Sequence, residues 1–491
     1  MTRSIRRVAL GVTALLVALI VQLTYLQVVQ ADKLADDPRN VRTLIRDFSR
    51  PRGPIVTADG EVVARSVPVD DEFEFQREYP LGALFAQVSG YQSFVVGNTG
   101  VENSYNDALI GRSTSLWTGS FETFLESAGR ALAGEESTGK VTLSLTAALQ
   151  TVARDSLGDR RGSVVALDPK TGAVLAMYSN PSYDPNPLAG HNAEQVQFAF
   201  NLFNGDPANP LLPRAYRERY APGSTFKTVT TAIGLDAGVT TPETSYPSIS
   251  ALPLPLSTNT LSNFGGQTCG GTLVESFVDS CNTTFGQIGL DLGNQLAVGI
   301  DEFGVTSAPP LDLDPGAVAG SGPQAGTFEV DAPLFAFAAI GQGDVFTTPL
   351  EMVLVAASVA NGGVMMTPHV AAEIRDAGDR LVHRIEPDPW RTVMTPATAT
   401  TLNALMLGVV EGGTGTAAQI PGLAVAGKTG TAEVPGQETP NAWFISFAPA
   451  EDPAIAVAVI VEGAGSSSSE ATGGAVAAPI ARNVIAAYLG R

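Results

Sequence analysis

The N-terminal residues combine basic residues, an uncharged apolar run and acidic residues, in that order. The run extends from Val8 to Ala31. As a helix, about 24 residues span about 36 Å, which exceeds the roughly 30 Å of a bilayer's hydrocarbon core. The flanking charges are Arg3, Arg6 and Arg7 before the run and Asp32, Asp36 and Asp37 after it. Because basic flanks favour the cytoplasmic side, the pattern predicts one membrane-spanning helix, with the remaining chain outside the cell.

A cleaved signal peptide is the alternative for this segment. The strictly apolar part ends near Val21, and Val29-Gln30-Ala31 is similar to a cleavage site, whereas the length of the run favours a retained anchor. In both cases most of the chain is exported, and export permits a disulfide between Cys269 and Cys281. Two free buried thiols remain the alternative, because spacing alone does not decide the pairing.

The pattern is irregular from residue 32 to about residue 140. Asp37-Pro38-Arg39-Asn40 and Arg50-Pro51-Arg52-Gly53 indicate turns or extended chain, and Gly134–Gly139 has the composition of a linker. We therefore expect a small accessory domain over residues 32–140, preceded by a cytoplasmic tip and membrane anchor over residues 1–31. The serine-rich stretch Gly463–Ser469 indicates a loop.

Regular periodicity begins near Val141. The pattern predicts helices over Ala147–Leu157 and Gly474–Leu489 and strands over Ser163–Leu167, Ala173–Ser179, Leu423–Ala426, Ala442–Phe447 and Ala454–Val461. The first two strands flank a turn, Asp168-Pro169-Lys170-Thr171-Gly172, which favours a hairpin. Strands at both ends with helices between them predict one mixed sheet built from both ends of residues 141–491, with a helical subdomain inserted. This is an α+β or α/β arrangement.

Composition excludes several classes of function. The 491 residues carry a formal net charge of −20, which repels nucleic acid, so no nucleic-acid partner is expected. The two cysteines and three histidines form no metal-ligand pattern, and neither a metal nor another cofactor is expected. Lysine is scarce: Lys33, Lys140, Lys170, Lys227 and Lys428 are the only ones. Two of them stand in the motifs described next.

The first motif is Pro222-Gly223-Ser224-Thr225-Phe226-Lys227. Apolar residues then recur with a helical period as far as Gly238. Ser224 would lie in the first turn, where free backbone N–H groups favour negative charge, and Lys227 would lie on the same helix face. A serine needs a neighbouring base, which a lysine of lowered pKa can supply. The same spacing at Ser137–Lys140 lies in the linker, which would not hold a nucleophile rigidly.

The second motif is Ser280-Cys281-Asn282, inside Phe277–Leu292, a segment that we expect to be helical. The Ser280 hydroxyl can relay a proton, and the Asn282 amide can orient a lysine and hold a substrate backbone. Ser257-Thr258-Asn259 has the same spacing but lies in a proline-rich loop. Taken alone, Ser280 and Asn282 also fit an ordinary helix surface.

The third motif is Lys428-Thr429-Gly430-Thr431, which follows an apolar strand. Glycine permits the close approach of another backbone, and a peptide can add along such a strand. Lys428 would place positive charge near the substrate terminus, and the backbone N–H groups of Ser224 and Thr431 can form an oxyanion hole. Taken alone, the motif also fits a turn with a solvated lysine.

The three motifs in this order resemble those of the serine acyltransferases that react with penicillin. The chain is most similar to class B penicillin-binding proteins, and among these to the short actinobacterial PbpA type. Further matching segments along the chain are Arg52-Gly53-Pro54-Ile55, Gly100-Val101-Glu102, Leu167–Gly172, Asn180–Pro185, Ala360–Gly363, Ala442-Trp443-Phe444 and Gly473–Pro479. The resemblance implies a transpeptidase fold, with a mixed, mainly antiparallel sheet, helices on both faces and a helical subdomain. It also implies an N-terminal pedestal or dimerisation domain.

The implied activity is that of a peptidoglycan D,D-transpeptidase. Ser224 attacks the penultimate D-Ala carbonyl of a stem peptide, the terminal D-Ala leaves, and an amine of a neighbouring stem resolves the acyl-enzyme. β-Lactams acylate the same serine and leave slowly. The resemblance gives Ser224, Lys227, Ser280, Asn282 and Lys428 catalytic roles and Thr429, Gly430 and Thr431 substrate-binding roles.

The implied partners are stem peptides, β-lactams and a membrane glycosyltransferase of the RodA/FtsW kind, during growth or division. A D,D-carboxypeptidase stays open, because it differs only in whether water or an amine accepts the acyl group. A β-lactam sensor or division scaffold without catalysis is the non-enzymatic alternative. A secreted β-lactamase is disfavoured because no Glu-x-x-Leu-Asn segment lies between Asn282 and Lys428, and a Ser-His-Asp hydrolase because the chain lacks a Gly-x-Ser-x-Gly elbow.

Overall fold

The computed structural model describes residues 2–26, 48–111, 138–434, 436, 438–464 and 472–491. The chain divides into two compact units, residues 1–51 with 67–76, and residues 52–66 with 77–491. Several predictions fall outside the described residues: the cleavage site at 29–31, the acidic residues at 32–37, the turn at 37–40, Ser137 with most of the linker, and the serine run at 466–469.

The first unit contains helix α1 (Thr2–Thr24). Its segment Ile5–Thr24 has a mean hydropathy of 2.0 and is not buried within the chain. Its length and composition are sufficient to cross a membrane, although a signal sequence meets the same criteria. The prediction of one N-terminal apolar helix is confirmed. In the same unit the rings of Phe48 and Phe73 pack edge to face, with centroids 6.5 Å apart.

Strands make up two larger sheets and several short pairs. The strands are β1 (Ile55–Val56), β2 (Val62–Pro68), β3 (Phe75–Glu78), β4 (Gln92–Ser93), β5 (Gly97–Asn98), β6 (Lys140–Leu143), β7 (Gly162–Leu167), β8 (Val174–Asn180), β9 (Ser245–Ile249), β10 (Ala251–Pro253), β11 (Thr260–Ser262), β12 (Cys269–Thr272), β13 (Val364–Met366), β14 (Ala371–Arg375), β15 (Leu381–Arg384), β16 (Pro389–Thr392), β17 (Ala426–Ala432), β18 (Asn441–Ala448) and β19 (Ile455–Val461).

The helices that follow α1 are distributed along the second unit. They are α2 (Ala86–Ser89), α3 (Gly100–Ser104), α4 (Asn106–Leu109), α5 (Ala147–Leu157), α6 (Ala193–Gly205), α7 (Arg214–Arg217), α8 (Lys227–Asp236), α9 (Leu273–Val278), α10 (Asn282–Leu292), α11 (Asn294–Glu302), α12 (Ala332–Ala338), α13 (Pro349–Ala360), α14 (Pro396–Glu411) and α15 (Ala478–Tyr488).

The central sheet has the strand order β17-β18-β19-β7-β8, and every neighbouring pair is antiparallel. All seven residues of β19 are buried. Because successive side chains point to opposite faces of a sheet, both faces of this strand are covered. Helix α13 packs against β7, β18 and β19, and α15, which contacts α5, packs on the same sheet. The predicted sheet built from both ends of residues 141–491 is confirmed, although β17 begins at Ala426 rather than Leu423.

Helices α8, α10, α11 and α12 lie in sequence between strands β7–β8 and strands β17–β19 of the central sheet. They pack against one another and form the expected helical subdomain. The helix predicted over Ala147–Leu157 is confirmed as α5, which begins with the Thr146 side chain accepting a hydrogen bond from the Leu149 backbone N–H. The predicted closing helix starts with a π-helical turn at Gly473–Ala477 and continues as α15.

A second sheet has the order β15-β14-β6-β1-β2-β3, with β1 and β6 parallel. Beside it, two segments from the family resemblance meet. The Glu102 carboxylate lies 2.5 Å from Arg52 Nε and 2.6 Å from Arg77 Nε, and all three side chains are buried. Burial raises the pKa of the Glu102 carboxyl, but the two guanidinium groups more than offset this and hold the pKa below its ordinary value. The pairing keeps a buried charge compensated.

Candidate active site

Ser224 lies at the start of a helix, as predicted. A 3-10 turn spans Gly223–Phe226 and leads directly into α8. Gly223 has a φ of +54°, which only glycine adopts without strain, and its N–H donates to the Gly341 carbonyl at 2.9 Å. The Thr225 hydroxyl donates to the Pro222 carbonyl at 2.7 Å. These bonds fix the backbone on both sides of the serine.

The Lys227 amine lies at the centre of a buried hydrogen-bond cluster. Its Nζ donates to the Ser280 carbonyl at 2.7 Å and to Asn282 Oδ1 at 2.8 Å, and it lies 3.2 Å from Ser280 Oγ. The ring of Phe285 lies 5.4 Å from the same nitrogen. The structure therefore brings the first and second motifs together, as the sequence predicted.

Burial lowers the pKa of Lys227 well below its ordinary value, and the positive charge of Lys428 lowers it further. A neutral amine has two N–H donors and one lone pair. With both donors held by the Ser280 carbonyl and the Asn282 side chain, the lone pair is free to accept a proton. A lysine in this state can act as a general base.

The second motif lies in a break between two helices. We expected one continuous helix over Phe277–Leu292, and this prediction is wrong: α9 ends at Val278 and α10 begins at Asn282. Ser280, in the break, has a φ of +63°, a left-handed conformation that few residues other than glycine adopt. A chain that continued as a helix would bond the Ser280 carbonyl internally, whereas the break leaves it available to Lys227.

Cys281 lies in the same break and is bonded to Cys269 on β12 as a disulfide. The two Cα atoms are 5.5 Å apart, within the usual range for a cystine. The bond ties the segment that carries Ser280 to the short β9–β12 pair.

Strand β17 carries the third motif along the edge of the central sheet. Lys428 is fully buried, with its Nζ 3.3 Å from the Thr429 carbonyl and 5.5 Å from the centroid of the Phe277 ring. Burial lowers the pKa of Lys428 to about 7. At Gly430 a side chain would bring Cβ within 2.8 Å of the Pro222 carbonyl oxygen. The close backbone approach predicted for this glycine is therefore made by the turn that precedes Ser224.

A cleft of about 870 Å³ brings five of the predicted catalytic and substrate-binding residues to one surface. Ser224, Ser280, Asn282, Thr429 and Thr431 line it, whereas the buried Lys227 and Lys428 do not. A smaller cavity of about 410 Å³, between α14 and the chain that enters β17, has none of the motif residues in its lining. The larger cleft, which the motif residues line, is therefore the candidate active site.

Sequence reasoning missed several residues that line the cleft. The Thr414 hydroxyl lies 2.6 Å from that of Thr429, and the Gly473 N–H donates to Thr431 Oγ1 at 3.5 Å. Thr414 lies in the glycine-rich stretch 412–415, directly after the apolar helix α14, and such a stretch beside a predicted helix end could have indicated it. Among the described residues, no group of three or more His, Cys, Asp or Glu side chains is arranged to hold a metal ion.

The family profile described as "Penicillin binding protein transpeptidase domain" matches residues 162–486. The chain belongs to this family. Residues 52–138 match a second profile, "Penicillin binding protein A dimerisation domain".

Relatives and solved structures agree with this membership. A relative from Mycolicibacterium smegmatis, named peptidoglycan D,D-transpeptidase PbpA, is 41% identical over 502 residues that cover 100% of this chain and 99% of the relative. The ceftriaxone acyl-enzyme complex of penicillin-binding protein A from M. tuberculosis is 36% identical, with a TM-score of 0.82 and coverage of 91% of this chain and 100% of that one. The corresponding penicillin G complex is 38% identical, with a TM-score of 0.80 and coverage of 90% and 100%. The transpeptidase fold is confirmed.

Proposed function

We propose that this family member is a peptidoglycan D,D-transpeptidase that is acylated at Ser224. The observation that carries the proposal is the Lys227 amine of lowered pKa, held by Ser280 and Asn282 beside a cleft that Ser224 lines. The similarity to chains named peptidoglycan D,D-transpeptidase, and to structures of β-lactam acyl-enzymes, supports the same reaction.

In the acylation step, the Ser224 hydroxyl gives its proton to the neutral Lys227 amine while its oxygen attacks the penultimate D-Ala carbonyl carbon. The bond from that carbon to the nitrogen of the terminal D-Ala then breaks. The leaving nitrogen takes a proton that Lys227 passes through the Ser280 hydroxyl, and D-Ala departs. An amine of a second stem attacks the ester, and its surplus proton returns to the Ser224 oxygen by the same route.

Substrate binding is assigned to the β17 edge. The Thr429 and Thr431 hydroxyls line the cleft and would bind the substrate carboxylate, with Gly430 holding the strand against the turn before Ser224. Lys428, buried behind them, would complete the proton network. The backbone N–H groups of Ser224 and Thr431 would stabilise the oxyanion.

The chain is proposed to be a single-pass protein of the plasma membrane, with residues 1–31 as cytoplasmic tip and anchor and the catalytic region outside. Residues 32–140 are proposed as the accessory domain, which the dimerisation profile over residues 52–138 supports. Residues 141–491 are proposed as the transpeptidase domain, which the profile over residues 162–486 supports. A membrane glycosyltransferase of the RodA/FtsW kind would supply the glycan strand.

The test follows the fate of a D-Ala-D-Ala stem-peptide donor, with and without an amine acceptor, by mass spectrometry. We expect release of D-Ala and an acceptor-dependent cross-linked product. Exclusive formation of the free acid would instead indicate a carboxypeptidase, and rapid turnover of penicillin a β-lactamase. Lys227→Met is expected to abolish both donor turnover and acylation, whereas Lys170→Met, at an exposed lysine, is expected to change neither. Equal activity of these two variants would contradict the assignment of the base.

A further inference from the structure

Three of the four residues before Ser224 are held by hydrogen bonds from their backbone groups to three different parts of the fold. The Tyr220 N–H donates to the Thr347 carbonyl at 2.9 Å, and the Thr347 N–H donates back at 2.8 Å. The Ala221 carbonyl accepts a bond from the indole Nε1 of Trp443 at 3.1 Å. The Gly223 N–H donates to Gly341. The nucleophile is therefore carried by a short segment whose position depends on its neighbours.

The side chain of Tyr220 adds one more anchor, which the catalytic mechanism does not use. Its hydroxyl donates to Glu462 Oε1 at 2.7 Å. Its ring packs edge to face on Trp443, with centroids 6.0 Å apart. Burial, and then the Glu462 charge, raise the pKa of Tyr220 well above its ordinary value, so its hydroxyl stays protonated and remains a donor at any working pH.

The Glu462 carboxylate is itself fixed. It follows β19 directly, and its backbone N–H donates to the Arg161 carbonyl at 2.8 Å. Arg161 Nε lies 2.6 Å from Oε2, and Arg214 Nε lies 3.2 Å from Oε1. Arg214 is completely buried and also donates to the Asn209 carbonyl at 3.0 Å. The charges of two guanidinium groups thus compensate one largely buried carboxylate, and Arg214 Nε also donates a hydrogen bond to it.

Trp443 connects this network with the opposite wall of the cleft. It stands opposite Gly430 in the antiparallel pairing of β18 with β17, so the residue that supports Tyr220 and bonds Ala221 also sets the position of the third motif. We propose that Glu462 is a positioning residue for the Ser224 nucleophile and acts through the Tyr220 hydroxyl. The inference rests on the proposed acylation of Ser224.

The direct test is Tyr220→Phe, which removes one hydroxyl and leaves Glu462 paired with its two arginines. Tyr105→Phe is the matched control, because the Tyr105 hydroxyl also donates to a carboxylate, that of Asp312, at 2.5 Å, and neither residue lines the cleft. Stopped-flow acylation by penicillin separates reversible binding from the acylation rate constant. Since misplacing a reacting group by 1 Å can cost about 100-fold in rate, we expect Tyr220→Phe to lower that constant about tenfold, with reversible binding unchanged. Tyr105→Phe should acylate at the parent rate.

Glu462 is tested by a second pair of variants. Glu462→Gln keeps the side-chain length, so that its amide oxygen can still accept the hydrogen bond from the Tyr220 hydroxyl. Glu462→Asp keeps the negative charge, but its side chain is too short to make that bond. We expect the Gln variant to acylate faster than the Asp variant. The inference is overturned if Tyr220→Phe acylates as fast as Tyr105→Phe, or if Asp retains the parent rate and Gln loses it. These results leave the proposed function intact, because it is tested separately on the parent chain, by the adduct at Ser224 and by the product of donor turnover.

Discussion

Gly223→Ala tests whether the contact between the serine turn and β17 sets the catalytic geometry. Gly223 has a φ of +54°, and an added Cβ would lie 2.7 Å from the Thr431 carbonyl oxygen. Gly238 offers a matched control, because its φ is +68° but an added Cβ would have no atom of the described residues within 4 Å. Both changes strain the backbone, but only the first pushes the nucleophile away from the third motif.

The structure gives the expected magnitudes. A left-handed conformation costs an L-residue about 1–2 kcal/mol, and this cost applies to both variants. At Gly223 the new contact is also about 0.7 Å short of the 3.4 Å at which ordinary contacts begin, and such overpacking costs about another 1–3 kcal/mol. If the turn moves by that distance, the acylation rate is expected to fall by about tenfold or more, because a 1 Å misplacement can cost about 100-fold.

The assay compares the two variants in stopped-flow acylation by a fluorescent penicillin and in denaturant unfolding. We expect Gly238→Ala to lose stability but to acylate at the parent rate, and Gly223→Ala to lose more stability and to acylate slowly. The reasoning is refuted if Gly223→Ala acylates as fast as Gly238→Ala, since the close contact with Thr431 would then have no catalytic consequence.

Two further predictions concern Lys428 and the disulfide. Because burial lowers the pKa of Lys428 to about 7, between pH 7 and about pH 10 the unfolded chain binds a proton that the folded chain lacks. The free energy of unfolding should therefore rise with pH, by up to about 1.4 kcal/mol per unit. Unfolding curves of Lys428→Met should rise less steeply over this range, because only Lys227 still contributes, and an unchanged slope would contradict the shift. Reduction of Cys269–Cys281 should lower stability by about 2–4 kcal/mol and slow acylation, and unchanged melting and acylation after confirmed reduction would exclude this role.

The central sheet was predictable because its strands are buried on both faces. Residues 442–447 and 454–461 are apolar almost throughout, and a fully covered strand needs that composition. The secondary structure of the accessory region was harder to predict from the sequence. Its strands are as short as two residues. Its fold also depends on tertiary contacts, such as the pairing of Glu102 with Arg52, and the periodicity of a sequence does not reveal such contacts.

The motif residues were found because each motif has a fixed local spacing. The break at Ser280 was missed, because its left-handed backbone is stabilised by what surrounds it and no glycine or proline marks the position. Glu462 and Tyr220 were missed for a related reason: they are 242 residues apart in sequence and meet only in the folded chain. Spacing along a sequence shows which side chains can react, whereas tertiary structure shows what holds them in place.

The most direct test of the central claim is the mass of the adduct formed with penicillin. Cleavage after Arg219 and Lys227 yields the peptide Tyr220–Lys227, which contains Ser224. We predict one adduct per chain, confined to this peptide and absent from Ser224→Ala, while Ser280→Ala retains a slower reaction at the same peptide. An adduct that persists in Ser224→Ala, or that maps to another peptide in the parent chain, would contradict the assignment of Ser224 as the nucleophile.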